Sequence, residues 1–215
     1  MALKIYPLKC LTCSSPLAGF ENDIIFFCPV CELGWDFSYE PPKAIKVSYA
    51  QTKQAPKKYK QKFFLPFYLY KVSFEFSGKE KFSDRIKQIL DKINKIYIPA
   101  FRLIKENYFG DFGLFYTESE IELEEQNELS EGEKSRIGLA MRSIKDVEKY
   151  LTLYPLLIID KRVDITGLNL HTNAELEKIW AVPFFDLEKT IQDSVLQKSF
   201  PSFALEGIDQ LRKIF

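Results

Sequence analysis

The sequence predicts an α+β protein: a small β module at the N-terminus linked to a mixed α+β body with Pro-containing strands. Three observations predict it. All four cysteines sit in the first 31 residues as two Cys-x2-Cys pairs. Residues 41–62 shift in composition toward Lys, Gln, Ala and Pro. Beyond them, alternating and helical apolar periods are interspersed along the chain. The expected units are residues 1–40, a Lys-rich linker over 41–62, and the body over 63–215.

In the first unit the pairs are Cys10-x2-Cys13 and Cys28-x2-Cys31, with no cysteine left over. A Cys-x2-Cys pair on a tight turn points two thiolates at one metal, and two such turns complete a tetrahedron, the preferred geometry of structural zinc. Ser14, Ser15 and Pro16 mark the first turn; Pro29 presets the second, where Gly34 is expected at positive φ. Phe20 to Phe27 reads as a hairpin turning at Asn22-Asp23, with Ile24 to Phe27 as a β-prone run.

Residues 8–39 resemble a rubredoxin-like, two-knuckle zinc ribbon. The resemblance implies that Cys10, Cys13, Cys28 and Cys31 ligate one structural zinc. It also exposes a departure: the common knuckle carries Gly directly after its second Cys, whereas Glu32 stands there and implies a slightly opened turn. The same ligands suit two disulfides or a redox iron. No secretory leader is visible in Met1 to Pro7, which argues against disulfides, and the 14 residues between the pairs are fewer than rubredoxins carry. A catalytic zinc would need an open position that four thiolates do not leave. Some 40 residues bury little core, so the metal is expected to supply folding energy, on the order of 10–16 kcal/mol apparent in small peptides.

The linker carries Lys43, Lys46, Lys53, Lys57, Lys58, Lys60 and Lys62 and no acidic residue after Glu40. It reads as a solvated tether uncoupling two cores, or as a basic arm for an acidic partner or for nucleic acid, the latter through Lys53, Lys57, Lys58, Lys60 and Lys62 with Tyr59 available to stack. In the body, Phe63 to Phe76 reads as a long strand stopped by Ser77-Gly78. Ser83 is expected to cap a helix carrying Ile86, Ile89, Leu90 and Ile93. A short strand over 96–101 follows, then a half-exposed strand over Glu120–Glu124, a helix over 133–151, a buried strand over Leu156–Asp160 continuing at Val163–Ile165, a helix over Ala174–Trp180, a strand over Val182–Leu187 and a final helix over 203–215. Pro66, Pro99 and Pro183 stand inside apolar runs, which predicts edge strands, strand starts or bulges.

Composition narrows the function. Thirty basic and 30 acidic residues cancel, so nothing global attracts a polyanion. The longest aromatic-aliphatic run, 63–70, is far too short for a membrane span. Reduced cysteines without a leader predict the cytoplasm. Aromatic residues make up 15% of the chain, enough to build both a dense core and interfaces. His171 is the sole histidine; a base role with Asp160 or Asp164 lacks any motif to support it. Asp111-Phe112-Gly113 matches the kinase triplet without its companion motifs and reads as a turn between Phe109 and Leu114. Eight Glu between 118 and 133 read as an exposed strand and loop, with contact to the Lys-rich segment as the alternative. The expected function is a non-enzymatic adaptor or assembly subunit that binds protein partners. The alternatives are a nucleic-acid-binding accessory factor, and an enzyme whose site in the body is unrecognised.

Overall fold

The computed structural model describes residues 8–104 and 110–214. Its strands are β1 (Ile25–Cys28), β2 (Leu33–Asp36), β3 (Lys43–Tyr49), β4 (Gln61–Ser77), β5 (Lys95–Pro99), β6 (Asn169–Asp186), β7 (Thr190–Asp193) and β8 (Ser199–Pro201). Its helices are α1 (Ser83–Leu90), α2 (Phe112–Glu118), α3 (Glu131–Lys134), α4 (Ile144–Val147), α5 (Tyr150–Asp160) and α6 (Ile208–Ile214). The α+β class is therefore as the sequence predicts.

The spine is the antiparallel pair β4–β6, joined from Gln61↔Asp186 to Ser77↔Asn169 with one irregularity between Leu69 and Tyr70. The sheet runs β1-β2-β3-β6-β4-β5, with β7 and β8 added beyond β6. Alternation along β4 divides its apolar side chains between two faces. Phe64, Tyr68 and Tyr70 pack with α1, α4 and α5. Phe63, Leu65, Phe67 and Leu69 meet Phe112, Tyr116, Phe184, Phe200 and Leu211 on the other face. There the Phe67 ring stacks on Tyr116 at 4.9 Å and meets Phe101 edge-on at 5.2 Å.

The segment read as a linker is not a tether. Residues 43–49 form β3, antiparallel to β2 and parallel to β6 over Val47↔Ile179 to Tyr49↔Ala181. Ile45 and Val47 alternate inward and Lys46 falls on the opposite, exposed side, while Lys43 is exposed as the first residue of the strand. Ile25, Phe27, Ile45 and Val47 share one core with Phe64, Tyr68 and Ile179.

Other expectations fail for physical reasons. Residues 156–160 belong to α5, not to a strand, and Pro155 lies inside that helix. The run 174–180 is not a helix but part of β6, where β4 pairs with it on both sides of an irregularity at Glu177. Residues 135–143 are not helical, because Phe64 N–H bonds Arg136 C=O and Leu139 adopts φ 62°. Glu120–Glu124 and 163–165 form no strand. Ser83 begins α1 without capping it. The last helix starts at Ile208; Phe215 lies outside the described residues, as does Phe109.

Pro66 and Pro183 occupy central strands, against expectation. Pro66 C=O accepts from Ala100 N–H, just past the end of β5, and Pro183 C=O accepts from Ser194 N–H, just past β7. In an antiparallel strand N and C=O of one residue point the same way, so each missing donor faces the place where a short neighbour stops.

Candidate metal centre

Four sulfurs converge where the two knuckles meet. One Sγ from each of Cys10, Cys13, Cys28 and Cys31 lies within 4.8 Å of the others, and Cys13 Sγ to Cys28 Sγ is 3.6 Å. A tetrahedral thiolate site with Zn–S near 2.3 Å has sulfurs about 3.8 Å apart, so the donor set fits such an ion.

The two knuckles are built alike. Ser14 N–H bonds Cys10 C=O at 2.9 Å and Glu32 N–H bonds Cys28 C=O at 3.0 Å. Thr12 N–H donates to Cys10 Sγ at 3.4 Å and Cys31 N–H to Cys28 Sγ at 3.3 Å. The residue after each second Cys is left-handed, Ser14 at φ 64° and Glu32 at φ 54°. Glu32 thus takes the conformation Gly would take, and the turn is not opened. Its carboxylate meets Lys134 Nζ at 2.6 Å. Gly34 is not at positive φ; a Cβ there would press on Ile25 and Phe27 at 3.1 and 3.3 Å, so close packing explains it. Cys10 and Cys28 are buried under Trp35.

Crowding sets the protonation of the thiols. Cys13 is held down to about 6, first by the Ser15 hydroxyl and N–H. Cys31 is pushed up to about 12, first by the Cys13 sulfur beside it. Burial pushes Cys28 up, whereas in Cys10 the opposing effect of burial is outweighed by the N–H groups of Cys13 and Thr12. Four thiolates this close repel, and a divalent cation is what allows all four to ionise together.

Two buried carboxylates that the sequence reading passed over fasten this module to the body. Asp23 Oδ2 accepts from Phe20 N–H at 2.9 Å and Leu139 N–H at 3.2 Å. Burial pushes its carboxyl up to about 7. Asp36, fully buried, accepts from Ser38 N–H and from Ile144 N–H at the start of α4. The one sequence signal was Asp23 beside Asn22, which reads locally as turn chemistry.

The module exposes apolar side chains at its knuckles. Leu11 and Val30, one from between the cysteines of each knuckle, are 48% and 47% exposed. A cleft of about 380 Å³ lies beside Val30, lined by Pro16, Leu17, Ala18 and Pro29 and closed by Glu131 and Gly132 of α3.

The other candidates lie elsewhere. Lys60 pairs with Glu188 at 2.7 Å, Lys62 is half-buried with its Nζ over the Phe64 ring, and Lys53 Nζ bonds Glu122 C=O. Tyr59 packs on Phe185 with ring centroids 4.8 Å apart. The acidic stretch does run beside the Lys-rich segment, mainly through backbone: Gln51 N–H to Glu124 C=O and Gln126 N–H to Tyr49 C=O. His171 stands exposed across from Glu75 in an open groove of about 530 Å³, while Asp164 pairs with Lys79 and Asp160 ends α5. Asp111 caps α2, accepting from Gly113 and Leu114 N–H and from Tyr154 Oη.

The chain matches no protein-family model, no curated protein and no solved structure.

Proposed function

We propose that this chain is a zinc-ribbon protein. Cys10, Cys13, Cys28 and Cys31 hold one structural Zn2+, and the metal-rigidified knuckles dock a protein partner, as an adaptor or assembly subunit does. Zinc supplies cross-linking of the two knuckles; the four thiolates leave no vacant position for chemistry at the metal. The observation that carries the reading is the pair of exposed apolar side chains on the knuckles: Leu11 and Val30 point to solvent from the two cysteine turns, with a cleft beside Val30. Preformed, rigid apolar anchors lose little entropy on binding. The acidic rim, with Glu131 and the net negative Zn(Cys)4 unit, favours a partner with an apolar anchor flanked by basic residues.

The test has two parts. Metal analysis of the purified protein should find one zinc per chain. Site-specific photo-crosslinkers at Leu11 and at Lys57 in living cells should then capture a partner protein from the first position only. Val30→Asp in the chain carrying the crosslinker at position 11 should lose that adduct while keeping the zinc. Cross-links to nucleic acid from Lys57 with none to protein from Leu11 would instead favour the basic-arm reading.

A further inference from the structure

We infer that two copies of this chain pair through the outer half of β6, antiparallel and centred on Asn173. The surface lies away from the metal centre, and the inference goes beyond the proposed partner docking.

The outer half of β6 is an open edge. Ser73, Glu75 and Ser77 direct their backbone toward β6, since Val72 N–H points the other way to Asn94 C=O. Their register partners are Asn173, His171 and Asn169. Alternation therefore turns the N–H and C=O of Leu170, Thr172, Ala174 and Leu176 outward. Strand β3 meets β6 only from Val47↔Ile179 onward. Among the described residues no strand pairs with the edge from 170 to 176. Edges of this length are commonly blunted by Pro or a bulge. Neither interrupts these residues, the irregularity lying beyond them opposite Leu69/Tyr70.

One register uses the whole edge. An antiparallel two-fold centred on Asn173 sets Leu170 against Leu176 of the second copy and Thr172 against Ala174. All four outward residues then join a ladder. Centring one residue either way leaves Leu176 or Leu170 unpaired. The same register matches side chains on both faces. On the solvated face His171 lies opposite Glu175 of the second copy, and Asn173 opposite itself. On the other face Leu meets Leu. A parallel pairing in register would instead stack Glu175 on Glu175 and Glu177 on Glu177, which is repulsive.

The helix below extends the contact. Thr152 of α5 touches Thr172, Oγ1 to Oγ1 at 3.4 Å, while Tyr154 reaches α2 through Asp111. At 100° per residue, Leu156 lies about 40° from Thr152, on this flank and away from Tyr154. It lines an open groove with Leu168, Leu170 and His171. Joining two edges by a two-fold brings two such flanks together as the ladder forms.

Two experiments test this with the full zinc-loaded chain. Sedimentation velocity from about 1 to 200 µM should show a dimer that Ala174→Pro converts to monomer with an unchanged circular dichroism spectrum, because the Ala174 N–H plays no part in the β4 ladder. Phe76→Pro, on the shorter open edge of β4, should leave the dimer intact. If Ala174→Pro fails to fold, Asn173→Cys decides: under mild oxidation with zinc retained, a disulfide-linked dimer should form, since 173 faces its own copy at a close, non-hydrogen-bonded position. Glu175→Cys alone should cross-link at least tenfold less. A monomer at 200 µM, a dimer that survives Ala174→Pro in the folded protein, or equal cross-linking from 173 and 175 overturns the proposal.

Discussion

The two halves of β6 show how neighbours decide what one strand becomes. Its inner half, Ile179 to Asp186, is buried at every position, with β4 on one side and β3 or β7 on the other. Its outer half, from Asn169, alternates between exposed and half-buried, with β4 as its one strand partner among the described residues. The sequence follows suit: Ile179 to Phe185 is continuously apolar, whereas Leu170, Thr172 and Leu176 alternate with His171, Asn173 and Glu175. Because β3 joins the inner half directly to β2 and the knuckles, the sulfur cluster and the hydrophobic core are joined through one continuous sheet. The outer half reaches that unit through β4, α5 and the bond from Lys178 Nζ to Ser48 Oγ.

The largest effect that separates the halves is loss of the proposed zinc. Chelation, or Cys28→Ser, removes the cross-link holding β1 and β2, worth on the order of 10 kcal/mol in isolated zinc peptides. Ile25, Phe27, Ile45 and Val47 then lose their anchorage in the shared core. Hydrogen exchange should accelerate across β1–β3 and the inner half of β6 together, and more than in the outer half. Loss confined to residues 8–40 would show a knuckle module independent of the body.

A smaller effect probes the joint itself. Asp23 is buried and its carboxyl is raised to about 7, burial being the first cause. In the unfolded chain it ionises near its ordinary value of about 4. Between those limits the folded state holds a proton that the unfolded state has released. This contribution therefore weakens as pH rises from about 4 to about 7 and is flat above. Asp23→Asn keeps an acceptor for Phe20 and Leu139 N–H and cannot ionise. Its stability relative to the parent should improve across that window, by up to a few kcal/mol, as denaturant midpoints at pH 4.5 and 7.5 would reveal. An unchanged difference between the two pH values would refute the buried charge as a cost.

What the sequence discloses is the chemistry that repeats locally. Cys-x2-Cys spacing located the sulfur cluster, and the aromatic run 63–76 located β4. What it hides depends on partners distant in sequence. Lys43 to Tyr49 is Lys-spaced and short, so its half-buried alternation passes for a tether until β2 and β6 are beside it. Asp23 reads as a turn residue and Asp36 gives no signal, because their acceptor role is toward Leu139 and Ile144, more than 100 residues away. Residues 174–180 have apolar spacing compatible with a helix, and it took the long pairing with β4 to make them a strand. The open edge of β6 leaves no trace in sequence, since an edge is the absence of a neighbour.

The smallest effect concerns the knuckle itself. Glu32 sits at φ 54°, where a side chain costs about 1 kcal/mol that Gly does not incur. Against that, its carboxylate pairs with Lys134 at 2.6 Å, with side chains 38% and 16% exposed, a partly screened pair worth about 1 kcal/mol or less. Glu32→Gly therefore trades backbone strain for an ion pair, and the net change in thermal midpoint should stay within about 4 °C for a chain of this size. A second substitution separates the two terms. In a Lys134→Met background the ion pair is already gone, so Glu32→Gly should stabilise there by more than it does in the parent. If the two increments were equal, the Glu32–Lys134 pair would contribute nothing. If Glu32→Gly destabilised in both backgrounds, the second knuckle would be held by side-chain contacts of Glu32 other than this pair.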